Sequence, residues 1–254
     1  MDNIKETFQE DKVKILTSFL LSGIFILTLY IIRLFEEYTR IDLGIYGVQP
    51  KVVKGLIGVF FAPLIHADML HLFSNSVSLF VLTFGIFYFY RNASLKVFLI
   101  IYLGSGLIVW IFARPAYHIG ASGLVYGFAS FLFFIGALRK DRGSMALSLL
   151  IIFLYGSLVW GLLPVDQSIS FESHIAGALL GLFCAILFRN SEPKPVYEWE
   201  EESEEKEESE EDNNEYVADE IPIHDDAEEF YSDEDEFYDE ELEKIKKRNK
   251  KKKS

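Results

Sequence analysis

Three short stretches carry side chains whose types and spacing can do nucleophilic chemistry. "HIGASGLVYG", residues 118–127, sets Ser122 between Gly120 and Gly123. "SHIAGALLG", residues 173–181, carries His174, and "HADMLHLFSN", residues 66–75, carries His66, His71 and Asn75. A serine hydroxyl is a poor nucleophile until a neighbouring base takes its proton, and histidine is the usual base. Ser122 and His174 supply that pair. Attack on a carbonyl builds an oxyanion, and one well-aimed side-chain donor to it is commonly worth about 2.7–4 kcal/mol. His71 and Asn75 stand one helical turn apart (i, i+4) and so share a helix face, both able to donate; the Ser122 amide adds a third donor. No Asp or Glu lies beside His174 except Glu172 at the edge of its run, so a Ser–His dyad fits better than a triad.

The elements that position these residues are apolar runs. Crossing a hydrocarbon core of about 30 Å takes about 20 apolar residues as a helix. Residues 13–35, 69–90, 95–113, 119–138, 145–163 and 172–188 all qualify, which makes the body an all-α, polytopic membrane protein of six transmembrane helices. The first run is too long for a secretory signal peptide and lacks its cleavage pattern, so it reads as retained. Cys184 is the single cysteine of the chain, so no intrachain disulfide forms.

Lysine and arginine in the connections set the orientation. Lys5, Lys12 and Lys14 precede the first run, Arg91 and Lys96 follow the second, Arg139, Lys140 and Arg142 follow the fourth, and Arg189 and Lys194 follow the sixth. Both termini are therefore expected in the cytoplasm, with the chain in a plasma (inner) membrane. Runs two, four and six then begin at the outer face, and each opens with its polar residues. His71 and Asn75, Ser122, and His174 fall at one depth just below that face. Intramembrane polar groups are functional suspects, and chance would scatter them over depths and sides. The glycines fit the same picture. Gly120 and Gly123 permit an unusual backbone and a close neighbour at the serine. Gly177 and Gly181 form a G-x-x-x-G face below His174, which lets runs four and six pack closely. Tyr126, one turn below Ser122, is placed to stack on the imidazole.

The remainder is a different material. Residues 1–189 hold 14 Lys/Arg against 11 Asp/Glu, and residues 190–254 hold 10 against 27, so a weakly basic body carries a strongly acidic tail within the formal net charge of −14. Blocks such as "EWEEESEEKEESEEDNNE" repel themselves and bury nothing, which predicts disorder. The organisation expected is a cytoplasmic N-terminal segment at 1–12, a membrane domain at 13–190, and a disordered acidic tail with a basic end at 191–254. The basic end could touch anionic lipid or a polyanion, but a solvated tail whose acidic and basic parts attract each other is the preferred reading. The tail's partner is unknown and no nucleic acid partner is expected.

These motifs resemble the rhomboid family of intramembrane serine proteases. The resemblance spans about residues 60–188 and rests on "HADMLHLFSN", on "GASG" followed by Tyr126, and on "HIAG" with its later glycine. It implies a compact six-helix bundle with Ser122 as nucleophile, His174 as base, and His71 and Asn75 in the oxyanion hole, with His66 in support. It implies single-span membrane proteins as substrates, cut near locally unstable helix in the bilayer, and no cofactor or metal. Members often carry a Trp-Arg pair in the first loop. Here that loop reads "KGLIGVFFAPLIH", a departure that bears on how the loop is anchored and removes no catalytic group. His118 receives no role from the resemblance.

Other classes fit less well. A catalytically inactive relative that binds transmembrane clients characteristically lacks the serine or the histidine, and both stand here. A metal or haem site would need ligands on one face, whereas His66 and His71 are i, i+5. A transporter places its polar groups near the midplane, not at one mouth.

Overall fold

The structure is a computed structural model in which residues 2–165 and 169–193 are described, with side chains from Gln9 onward. Six helices are long and apolar enough to cross a membrane. They are α1 (Asp2–Thr39), α2 (Met69–Phe89), α3 (Arg91–Phe112), α4 (Ser122–Arg139), α5 (Arg142–Tyr155) and α6 (Phe171–Phe188). The fold is the polytopic all-α bundle expected. The acidic tail from residue 194 onward lies outside the described residues.

Caps set the helix ends more than hydropathy does. Asp68 accepts the His71 amide at 2.7 Å and starts α2. Asp141 accepts the Ser144 amide at 2.8 Å and starts α5. An aspartate at an N-cap satisfies donors that a helix leaves free. Lys140, in the left-handed region at φ 60, ends α4. Helix α5 then tightens into a 3₁₀ stretch, Gly156–Leu162, so the fifth apolar run is not one regular helix.

Helix α4 is the hub. Most of α4 is buried, whereas little of α5 with its extension is, so α4 is the core and α5 the periphery. Phe128, Phe131, Leu124, Leu132 and Ile135 of α4 are buried against Leu72, Leu79 and Leu82 of α2 and Ile101 of α3. In lipid the outward faces need no polar cover, and exposed Phe19, Phe73, Leu149 and Phe153 turn that way.

Backbone meets backbone between α4 and α6. A Cβ added at Gly177 would fall on the Gly123 carbonyl, and one at Gly181 on the Gly127 carbonyl. From the other side, a Cβ at Gly127 would lie 3.1 Å from the Gly177 carbonyl. Ser130 adds a hydroxyl bond to the Ala178 carbonyl at 2.7 Å. The seam therefore extends the G-x-x-x-G face of α6 with a matching small-residue face on α4.

The long first loop is folded, not slack. It contains short 3₁₀ segments, Leu43–Tyr46, Val53–Ile57 and Ala62–Leu64, and one α-turn at Gly58–Phe61. Trp110 of α3 supplies the anchor: its indole N–H donates to the Val52 carbonyl at 2.8 Å and its carbonyl accepts the Lys51 amide at 2.9 Å. Tyr102 donates to the Phe60 carbonyl at 2.7 Å. Residues on α3 thus hold the loop that lacks the Trp-Arg pair. At the opposite end, Arg139 is buried, 3.0 Å from Asp141 Oδ2, and donates to the carbonyls of Glu192 and Pro193 at 2.9 and 3.0 Å. Burial alone would raise the Asp141 pKa, but the Ser144 amide and hydroxyl and the Arg139 guanidinium hold its carboxyl below the usual range. Residues 191–193, assigned from sequence to the tail, are part of this end of the bundle.

Candidate active site

Ser122 is the first residue of α4, reached through Gly120 at φ +104. That backbone favours glycine, and any side chain there would press on His71, with a Cβ 2.9 Å from its Cε1 and 3.2 Å from its Nε2. Gly120 therefore brings the His71 ring edge to the segment entering the serine. His174 sits in the first turn of α6, 5% exposed, across the glycine seam from Ser122.

The two side chains meet. Ser122 Oγ lies 2.8 Å from His174 Nε2, and His174 Nδ1 lies 2.8 Å from the Gly161 carbonyl in the 3₁₀ extension of α5. A carbonyl can only accept. Nδ1 therefore carries the ring proton, and Nε2 presents its lone pair to the serine hydroxyl, which donates. The tautomer a general base needs is thus fixed by a backbone oxygen, the service a carboxylate performs in a triad. Glu172 does not perform it: its Oε1 is 3.6 Å from Arg114 Nε. Tyr126 stacks on the His174 ring with centroids 4.0 Å apart and planes 7° apart, which restrains the imidazole's tilt.

His71 and Asn75 share the face of α2. Asn75 is 8% exposed, and its Nδ2 is buried with no partner among the described residues. A buried amide donor left unpaired costs about 1–3 kcal/mol, and this one lies on the same α2 face as His71. The Ser122 amide, at the first helical position, likewise has no intrahelical partner.

His66 is buried and acts on the backbone. Its Nε2 accepts the Ala121 amide at 3.3 Å, one residue before the serine, and its ring lies 5.3 Å edge-on from that of His71. Burial first, then the neighbouring His71, pushes its pKa down to about 4. It is therefore neutral near pH 7, and a neutral ring is required for Nε2 to accept.

Of the residues singled out in the sequence, Ser122, His174 and Tyr126 come together directly. His71 borders them at Gly120, and Gly123, Gly177 and Gly181 form the seam beneath. Gly161 was missed, because what matters there is a carbonyl that any residue possesses. His118 was left without a role, yet it is 4% exposed and bonded to Ser170. Among the described residues no group of three or more His, Cys, Asp or Glu is placed to hold a metal ion.

Comparison with known proteins bears on the same region. The rhomboid domain family matches residues 53–191. An uncharacterized protein of Mycobacterium tuberculosis is 32% identical over 179 residues, covering 67% of this chain and 75% of that one. One from Mycobacterium leprae is 30% identical over 188 residues, covering 69% and 74%. A protein of Acanthamoeba polyphaga mimivirus that is named for the rhomboids is 28% identical over 153 residues, covering 58% and 81%. The match takes in the later part of the first loop, the glycine seam and both members of the Ser122–His174 contact, and this polytopic membrane protein belongs to the rhomboid family.

Proposed function

We propose that the chain is an intramembrane serine endopeptidase that hydrolyses peptide bonds in or near the transmembrane segments of other membrane proteins. The observation that carries the reading is the hydrogen bond from Ser122 Oγ to a His174 ring whose other nitrogen is committed to the Gly161 carbonyl. As Ser122 attacks the scissile carbonyl carbon, its proton passes to His174 Nε2. The carbonyl oxygen becomes an oxyanion, received by Asn75 Nδ2, His71 and the Ser122 amide. His174 then gives the proton to the leaving amine, the C–N bond breaks, and an ester to Ser122 remains. Water, deprotonated by the same nitrogen, attacks that ester and restores the serine.

An apolar cavity of about 260 Å³ lies between α4 and α5 with its extension, below the pair and bordered by Tyr126. Tyr126, Phe133, Ile152, Tyr155 and Val159 line it. It is suited to an apolar side chain of a substrate segment, and Tyr126 joins it to the His174 stack. The proposed setting is a plasma membrane with both termini in the cytoplasm, supported by the Lys/Arg bias of the connections.

The test is cleavage of a single-span substrate by the purified full chain in lipid, with a metal chelator present throughout. Ser122→Ala and His174→Ala are run in parallel. Cleavage by the native chain alone supports the reading. Equal cleavage by either variant sinks that residue's assignment. A native chain that neither cuts nor labels with a fluorophosphonate at Ser122 is a client-binding relative instead.

A further inference from the structure

The segment that leads into Ser122 is tied to the first turn of α6 by side chains that the mechanism above does not use. His118, four residues before the serine, has both ring nitrogens occupied: Nδ1 lies 2.6 Å from Ser170 Oγ and Nε2 lies 3.0 Å from the Arg114 carbonyl. Ser170 Oγ is in turn 2.6 Å from Ser173 Oγ, and Ser173 precedes His174. Because the Arg114 carbonyl can only accept, His118 Nε2 carries the proton and Nδ1 accepts from the Ser170 hydroxyl. Ser170, its proton committed, accepts from Ser173. The chain has one direction, from the residue beside His174 to the loop before Ser122.

Other contacts run along the same join. Arg114 donates to the Ile169 carbonyl at 2.8 Å and lies 5.5 Å over the Phe171 ring. The backbone of His118 pairs with Val48 of the first loop, at 3.0 Å into its carbonyl and 2.9 Å from its amide. His118 is therefore where the first loop, the serine segment and the start of α6 meet.

We propose that His118 is a positioning residue, which with Ser170 and Ser173 clasps the entry of the serine helix to the entry of the histidine helix. The proposal rests on the protease reading above. The glycine seam sets how near α4 and α6 come, but contacts between bare backbones resist sliding and rotation weakly. At the mouth, where Gly120 leaves the chain in a backbone of its own, directional bonds are needed to hold Ser122 Oγ at 2.8 Å from His174 Nε2. A misplacement of about 1 Å costs on the order of 100-fold in rate.

The experiment uses the full chain in lipid with His118→Leu, Ser170→Ala, the double variant and His118→Asn, whose side-chain oxygen stands near the place of Nδ1. It measures kcat and KM for a single-span substrate and the rate of fluorophosphonate labelling at Ser122, below each variant's unfolding midpoint. His118→Leu and Ser170→Ala are expected to lower kcat and the labelling rate together by about tenfold or more, with KM unchanged. The double variant should be no worse than the worse single, since both break one unit, and His118→Asn should recover part of the loss. If His118→Leu does not fold, Ser170→Ala, which removes one hydroxyl, carries the same expectation. Native kcat and labelling in a folded single variant, losses that multiply in the double, or a rise in KM alone each overturn the proposal. A native chain that labels while His118→Leu labels equally fast refutes the clasp alone. A native chain that neither cuts nor labels overturns the protease reading and the clasp with it.

Discussion

Replacing Gly161 by alanine tests the claim that a backbone carbonyl on the α5 extension orients His174. The new Cβ would fall on the Tyr126 hydroxyl, 3.1 Å from Tyr126 Cζ and 3.4 Å from His174 Nδ1. Something must move. If the extension withdraws, the 2.8 Å bond from Nδ1 to the Gly161 carbonyl is lost, at a net cost of about 1 kcal/mol, or about fivefold. If Tyr126 yields instead, it carries the stacked imidazole with it, and a shift of about 1 Å costs on the order of 100-fold. Gly161→Ala is therefore expected to lower kcat by about 5- to 100-fold. Folding should survive, because the extension lies at the periphery of the bundle. The assay is single-turnover cleavage of a transmembrane substrate in lipid, with the unfolding midpoint measured in parallel. Tyr126→Phe keeps the stacked ring and removes the atom most in the way, so the double variant should recover most of what Gly161→Ala loses. Full activity in Gly161→Ala, or a double variant as impaired as Gly161→Ala, would refute the reasoning.

Three further outcomes are expected. Asn75→Ala removes a donor that has no protein partner among the described residues; kcat should fall by about 100-fold while the unfolding midpoint holds or rises, as side-by-side kinetics and thermal melts will show. His66 titrates at about 4 in the folded chain against an ordinary 6.5, so between those values the unfolded state binds the extra proton. Stability should therefore fall as pH drops from about 6.5 to 4, by up to about 3 kcal/mol, and His66→Gln should flatten that slope in denaturation curves taken across the window. Gly177→Val places side-chain carbons on the Gly123 carbonyl, and since backbone cannot yield as a side chain can, both the unfolding midpoint and Ser122 labelling should drop sharply.

Much of the architecture was legible because lipid imposes a simple rule: an apolar run of sufficient length becomes a helix. Helix ends were less so. Asn92 stands in the first turn of α3 with its amide on the Glu192 carboxylate and its side chain on the Ser191 carbonyl, and Arg139 closes α4 on the carbonyls of Glu192 and Pro193, which hydropathy does not register. The pairing of α4 with α6 was readable from Gly177 and Gly181, since small residues at that spacing have few other uses in a membrane helix. The meeting of Ser122 with His174 followed from their common depth. Gly161 was illegible, as nothing in a residue's identity reports where its carbonyl points. His118 carried a signal, a histidine beside the serine segment, but its partners Ser170 and Ser173 read as an ordinary polar helix start. The anchoring of the first loop was also hidden, because Trp110 lies on a different helix, 58 residues from the Val52 carbonyl it binds.

The glycine seam also bears on how this protein can change. Where α4 and α6 touch through bare backbone, no side chain is available to be enlarged, trimmed or rotated in compensation, so the register of Ser122 against His174 offers selection no gradual adjustments. Helix α5 itself, before the extension that carries Gly161, stands apart from that constraint, lightly buried and bordering the apolar cavity. A library randomised over α5 should yield many folded variants of altered preference, and one randomised over the seam almost none. Innovation here has a permitted address, and it is the helix that contributes least to the core.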